Sequence, residues 1–263
     1  MKSSLFVGCS YTNGTGFELE KQEPGLWVNL MHQNCDALQS TQLVNLGRKA
    51  RSNAGIFQDA VAGILEHDAK YVFVAWTSYP RYELSTGLET YETLTLFSPG
   101  SKQHSIALND ITYTEDYLNN LNDRFTSLAH PHWEILNILR YINILVKLAA
   151  TREDCQIFFI NALCYWDENY FEKLTDVLPN FYTTYTQQII NVSNRDDKEI
   201  FNLYNKIHTE YQQAGGVHQE KWLNLYKSLR SQRIDFNANG IHPGINSNKL
   251  YSDMLLDQLT QKL

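Results

Sequence analysis

The sequence predicts an α/β fold of three layers, α/β/α, with a mostly parallel central sheet and helical insertions. Short apolar runs that read as buried strands alternate with longer segments whose apolar residues recur at helical spacing. The strands are apolar at consecutive rather than alternate positions, which fits a parallel sheet covered on both faces. No repeat, low-complexity tract or Pro/Gly-rich linker divides the 263 residues, so residues 1–263 read as one domain.

Leu5-Phe6-Val7 is the first strand, closed by the small-residue turn Gly8-Cys9-Ser10-Tyr11-Thr12-Asn13-Gly14-Thr15-Gly16. Trp27 to Met31 with its flanks reads as a helix, and Gln42-Leu43-Val44-Asn45-Leu46-Gly47 as a second strand. Asn53 to Leu65 places Ile56, Ala60, Val61, Ile64 and Leu65 at helical spacing. Tyr71 to Trp76 is β-branched, aromatic and uncharged, the clearest buried strand. Residues 134–150 predict a strong helix feeding the strand Gln156 to Ala162, and a last helix runs from Ser247 to Gln261. Two stretches break the alternation and read as insertions. Residues 84–132 are polar and weakly periodic; residues 165–232 look helical and are rich in aromatics.

Composition narrows the function. Apolar residues make up 43% and charged residues 19%, an ordinary globular balance. With 22 Lys and Arg against 29 Asp and Glu the net charge is −7, which argues against a nucleic-acid binder. Sixteen Tyr suit clefts and interfaces as well as core. The four cysteines, Cys9, Cys35, Cys155 and Cys164, form no CxxC pair, so reduced thiols and no zinc site are expected. No apolar run has the length of a membrane span, and the apolar stretch before Cys9 is too short for a signal peptide. A cytoplasmic protein is expected, or a virion-associated one where the gene belongs to a phage. His130-Pro131-His132 reads as a loop rather than a metal site, and Gly8, Gly14 and Gly16 lack a nucleotide-binding spacing; no cofactor and no metal are expected.

Ligands of open parallel sheets bind beyond the carboxyl ends of the strands. There the sequence brings Ser10 after the first strand, Asn45 to Asn53 after the second and Thr77 after the third. Asn239-Gly240-Ile241-His242-Pro243-Gly244 precedes the last helix. A serine, backbone donors and a histidine on one rim are the parts of acyl transfer by a serine nucleophile.

In order and spacing these blocks resemble the SGNH (GDSL-type) hydrolases, of the divergent kind found in phage and marine bacterial genomes, over roughly the whole chain. Gly8-Cys9-Ser10-Tyr11 stands where the family has Gly-Asp-Ser-Leu, which would make Ser10 the nucleophile and its N–H an oxyanion donor. In the second block Ala50 falls at the glycine that gives an N–H to the oxyanion hole. Ala75-Trp76-Thr77-Ser78 stands for Gly-x-Asn-Asp, so Thr77 takes the place of a side-chain oxyanion donor. Asn239-Gly240-Ile241-His242 stands for Asp-x-x-His, with His242 the general base. The resemblance implies an SGNH/flavodoxin-like fold and a serine esterase or deacetylase acting on a small acyl ester, with O-acetyl groups on carbohydrate as one such substrate.

Two departures weaken that implication. Asn239 replaces the acid that would orient the histidine, with Asp235 on the same loop as an alternative acid, and Thr77 offers one hydroxyl in place of an amide. A catalytically degenerate SGNH-fold binding or phage-particle structural protein is the alternative. Ser10 also reads as a plain helix cap, and His242 as a turn residue before a helix capped by Asn246 or Ser247. Arg48, Lys49 and Arg51 form a basic cluster that either lies solvated or, with Arg81, lines the substrate rim. The expected partner is a small-molecule or carbohydrate ester, with neither nucleic acid nor membrane; the sequence leaves the oligomeric state open.

Overall fold

The computed structural model describes residues 1–49, 51–77, 106–108, 111–113, 116, 119–120, 131–162, 221–224, 234–237 and 242–262. In chain order its strands and helices are β1 (Ser3–Val7), α1 (Ser10–Asn13), α2 (Trp27–Gln33), α3 (Asp36–Gln39), β2 (Gln42–Asn45), α4 (Asn53–Glu66), β3 (Ala69–Trp76), β4 (Ile106–Leu108), β5 (Ile111–Tyr113), α5 (Pro131–Ala150), β6 (Gln156–Asn161), β7 (Trp222–Asn224) and α6 (Ile245–Thr260). One sheet has the order β2-β1-β3-β6-β7, and every pair in it is parallel. This is the doubly wound order in which the chain leaves β1 to one side and returns to β3 on the other.

Side-chain alternation sorts the helices onto two faces. Phe6 meets Trp27 of α2 edge to face, with ring centroids 5.8 Å apart. Leu5 points the other way, toward Gly63 of α4, where a Cβ would lie 3.2 Å from its methyl. The α2 face also holds a stacked ladder in strand register: Phe6 on Phe73 at 4.7 Å and Phe73 on Phe158 at 5.4 Å. The α4 face carries Trp76 stacked on Phe159 at 6.2 Å. α6 packs on α2, and α5 packs on α4 through Phe57 and Tyr141, stacked at 4.4 Å. β1 is buried throughout, which is why its sequence shows no polar alternation.

The predicted three-layer α/β/α class with a parallel sheet is what the chain adopts. Two readings need correction. The segment 165–232, read as helical, contributes β7, a fifth parallel strand beside β6. A strand as short as Trp222-Leu223-Asn224 shows no period that separates strand from helix. Within the insertion 84–132, β4 pairs antiparallel with β5. α5 begins at Pro131, so His132 lies in a helical first turn rather than a loop. Proline suits that position, because its missing N–H would have no helical partner there.

Candidate active site

The switch point of this topology lies outside the carboxyl ends of β1 and β3. β1 delivers Gly8 and Cys9 there, then α1 with Ser10 as its first residue. The β2 loop lies hard against this turn. A Cβ on Gly47 would stand 2.7 Å from the Asn13 nitrogen, and one on Gly8 would strike the Thr12 side chain. The Arg48 N–H donates to Gly8 O at 3.1 Å, Asn45 Nδ2 to Thr12 O at 2.8 Å, and the Trp27 indole N–H to Tyr11 O at 3.1 Å. Gly14, at φ 75°, ends α1 after one turn. The Ser10 hydroxyl does not cap this helix: Cys9 occupies the N-cap, without a side-chain bond. Ser10 is 6% exposed.

His242 reaches the same rim on a small antiparallel turn. Phe236 bridges Pro243, the Asn237 N–H donates to His242 O at 3.0 Å, and the Gly244 N–H to Asp235 O at 3.1 Å. The Asn237 amide donates to Thr15 O at 2.8 Å, which ties the turn to the end of α1. The imidazole of His242 thereby lies beside the ring of Tyr11, the residue after Ser10, with centroids 5.3 Å apart. Buried Asn248 holds the turn from below. Its Nδ2 donates to Gly244 O at 2.9 Å and Pro243 O at 3.2 Å, and its Oδ1 accepts the Trp27 N–H at 3.1 Å. One amide thus fixes the entry of α6 and satisfies an orphan N–H of α2.

The expectation that Asp235 stands ready as the acid partner of His242 is corrected. Oδ1 accepts the Ser247 N–H at 2.8 Å and its hydroxyl at 2.7 Å, and Oδ2 accepts the Asn246 N–H at 3.0 Å. Asp235 therefore caps α6 from outside the helix, in place of Asn246 or Ser247, while Gly244 holds the N-cap position. Burial pushes its pKa up, but the bonds from Ser247 and Asn246 outweigh that and hold the carboxyl below its ordinary value.

Thr77 follows β3 and is buried. The side chain of Asn53, the first residue of α4, grips its backbone from both sides. Oδ1 accepts the Thr77 N–H at 2.9 Å and Nδ2 donates to Thr77 O at 3.1 Å. Arg51 does not lie on the rim as expected. It is buried, and its Nε and NH2 meet Asp59 Oδ2 and Oδ1 at 2.7 and 2.9 Å. Arg48 is exposed. Ala50, Arg81 and Asn239 lie outside the described residues. Asn53, Trp27, Asn237 and Asn248 had no motif to announce them, because each acts through backbone groups distant in sequence.

An apolar recess is lined by residues that include Cys9, Tyr11 and Thr12 of this turn together with Trp27, Ala75 and Tyr251. Among the described residues no group of His, Cys, Asp or Glu has the arrangement of a metal site, and no helix is long and apolar enough to cross a membrane. No family model and no curated protein matches the chain. Solved structures similar to it include a member of the lipolytic protein G-D-S-L family from Veillonella parvula, 11% identical over 99% of this chain and 100% of that one, with a TM-score of 0.46. The psychrotrophic esterase EstA from Pseudoalteromonas sp. is 12% identical over 99% and 98%, with a TM-score of 0.47. A carbohydrate acetylesterase family member from Sinorhizobium meliloti is 10% identical over 100% and 99%, also with a TM-score of 0.47. The fold class itself stands on the strand order of this chain.

Proposed function

We propose that the chain is a serine hydrolase of the esterase or deacetylase type, acting on a small acyl ester, with O-acetyl groups on carbohydrate as the substrate type to try first. The supporting observation is the ring contact of Tyr11 with His242, which brings a histidine to the turn that presents Ser10 at the switch point of the sheet. In this reading Ser10 Oγ attacks the ester carbonyl as His242 takes its proton. The imidazolium returns that proton to the leaving alcohol, and water, deprotonated by the same histidine, releases the acid. The N–H groups of Ser10 and Ala50 and the hydroxyl of Thr77 are assigned to the oxyanion. The apolar recess suits the methyl end of a short acyl group.

The degenerate alternative, an SGNH-fold binding or particle protein, draws support from Asp235, whose carboxylate is engaged at α6 rather than at His242. Asn239 then remains as the orienting group, an oxygen acceptor without charge. A fluorophosphonate probe decides between the two: labelling of wild type but not of Ser10→Ala supports the esterase, and no labelling of either supports the alternative. With an active enzyme, Asn239→Asp should raise kcat, because a carboxylate stabilises the imidazolium that forms in the transition state.

A further inference from the structure

His242 stands before a proline, and that placement fixes its backbone before its ring. A proline crowds the preceding residue out of the helical region, which favours an extended backbone at His242. The fold uses this in a short antiparallel pair: Phe236 bridges Pro243, and the Asn237 N–H donates to His242 O at 3.0 Å. Side chains alternate along such a pair, so Phe236 and Pro243 share one face, and Asn237 and His242 share the other. The second face is turned to α1. From it the Asn237 amide reaches Thr15 O at 2.8 Å. The His242 imidazole reaches the ring of Tyr11, with centroids 5.3 Å apart and planes tilted by 55°.

The backbone leaves the two side-chain torsions of the imidazole open. The first has three staggered wells and the second is broad, so packing has to settle both. His242 is only partly buried. Asp235, the acid of the same turn, has both carboxylate oxygens at the start of α6, on Asn246 and Ser247. Tyr11 is itself braced. Its carbonyl accepts the Trp27 indole N–H at 3.1 Å, and the Cys9 carbonyl accepts the N–H groups of Thr12 and Asn13 at 3.0 Å. Tyr11 also lines the apolar recess beside Trp27 and Tyr251. The imidazole therefore meets a fixed surface. That surface is next in sequence to Ser10, so the element that presents the hydroxyl also carries the brace for the histidine.

We propose that Tyr11 is a positioning residue for His242, the packing of its ring holding the imidazole in one rotamer at the Ser10 turn. This rests on the esterase reading for its kinetic arm. A hydrogen-bond acceptor acts on one nitrogen of the imidazole, whereas a packed ring restrains its torsions, so the two contributions are separable by substitution. The ring does this and the phenol hydroxyl is dispensable.

The test compares Tyr11→Phe, which keeps the ring, with Tyr11→Leu, which removes it, on 4-nitrophenyl acetate. Tyr11→Leu should lower kcat about tenfold with KM within about twofold of wild type, because a misoriented base slows the chemistry and leaves binding of the ester alone. Tyr11→Phe should keep the wild-type kcat. Equal kcat for wild type and Tyr11→Leu, a change in KM alone, or a loss in Tyr11→Phe as large as in Tyr11→Leu would each overturn the proposal. The imidazole is also read directly by NMR, with the His242 resonances identified by their absence from His242→Gln. Three-bond couplings across its first torsion should show one rotamer in wild type and Tyr11→Phe, and averaging over several in Tyr11→Leu. A single rotamer in Tyr11→Leu sinks the proposal even where kcat has fallen. If wild type neither turns over the ester nor takes up a fluorophosphonate, the esterase reading fails by itself, and the couplings alone decide whether Tyr11 holds the histidine. Should Tyr11→Leu not fold, Tyr11→Met, a flexible side chain without a ring, takes its place in both arms.

Discussion

The two turns that meet at the rim are built on opposite principles. The turn before α6, which carries His242, is held by side-chain hydrogen bonds from Asp235, Asn237, Ser247 and Asn248. The turn after β1, which carries Ser10, is shaped by close packing at Gly8 and Gly47 and by bonds to its backbone from Arg48, Asn45 and Trp27. Among the described residues no hydrogen bond of the Ser10 hydroxyl contributes to it. A side chain that supports nothing structurally and stands at the switch point is available for chemistry. The polar residues around His242 are, in contrast, committed to geometry.

The largest effect should come from the serine. Ser10→Ala should lower kcat on a short-chain ester by roughly 10⁴–10⁶-fold. Its stability should stay within about 0.5 kcal/mol of wild type, since no capping bond is lost. A loss of about 1 kcal/mol in urea unfolding with no change in activity would instead make Ser10 a structural residue. The next effect lies at the end of β3. Thr77→Val keeps the shape and removes the hydroxyl, and should cost on the order of 10²-fold in kcat with KM little changed. Equal kcat for both proteins would remove Thr77 from the oxyanion site.

The same contrast explains what was legible in the sequence. β1, β3 and β6 are runs such as Leu5-Phe6-Val7 and Tyr71 to Trp76, buried on both faces, so their composition alone announces them. β7, with three residues, has too short a run to carry a period, and it was read as part of a helical insertion. The places of Ser10 after β1 and of His242 before α6 were legible because a strand end and a helix start are marked by small residues and by His-Pro-Gly. The basic cluster was visible as a cluster, but its division was not. Only the fold shows that Arg51 meets Asp59, two turns along α4, and that Lys49 meets Glu20. The role of Asp235 was hidden for the same reason: a carboxylate ten residues before a helix gives no local capping signal.

A smaller effect tests the hydrogen-bonded turn directly. Asn248→Ala should destabilise the protein by about 2 kcal/mol, because it strands the Trp27 N–H and the Pro243 carbonyl, while the Gly244 carbonyl keeps the backbone N–H of residue 248. Chemical denaturation should show this as a lower midpoint at unchanged slope. An unchanged midpoint would mean that packing, not this amide, joins α2 to α6.

The smallest effect is also the one with a defined pH signature. Asp235 accepts bonds from Ser247 and Asn246 at the positive end of α6, and its carboxyl is held below its ordinary value despite the opposing effect of burial. A group whose pKa is depressed by folding adds stability that is complete above its unfolded value, about 3.9 for Asp, and is lost as pH falls through the folded value. Asp235→Asn keeps an acceptor for the helix but removes the charge. Wild type should therefore be more stable than Asp235→Asn at neutral pH, by up to about 1 kcal/mol, with the difference constant down to about pH 5 and shrinking below pH 4. Urea midpoints of the two proteins measured from pH 7 to pH 3 give this curve. A gap that stays constant across that range would show that the carboxylate charge contributes nothing at α6, and would return Asp235 to the search for the partner of His242.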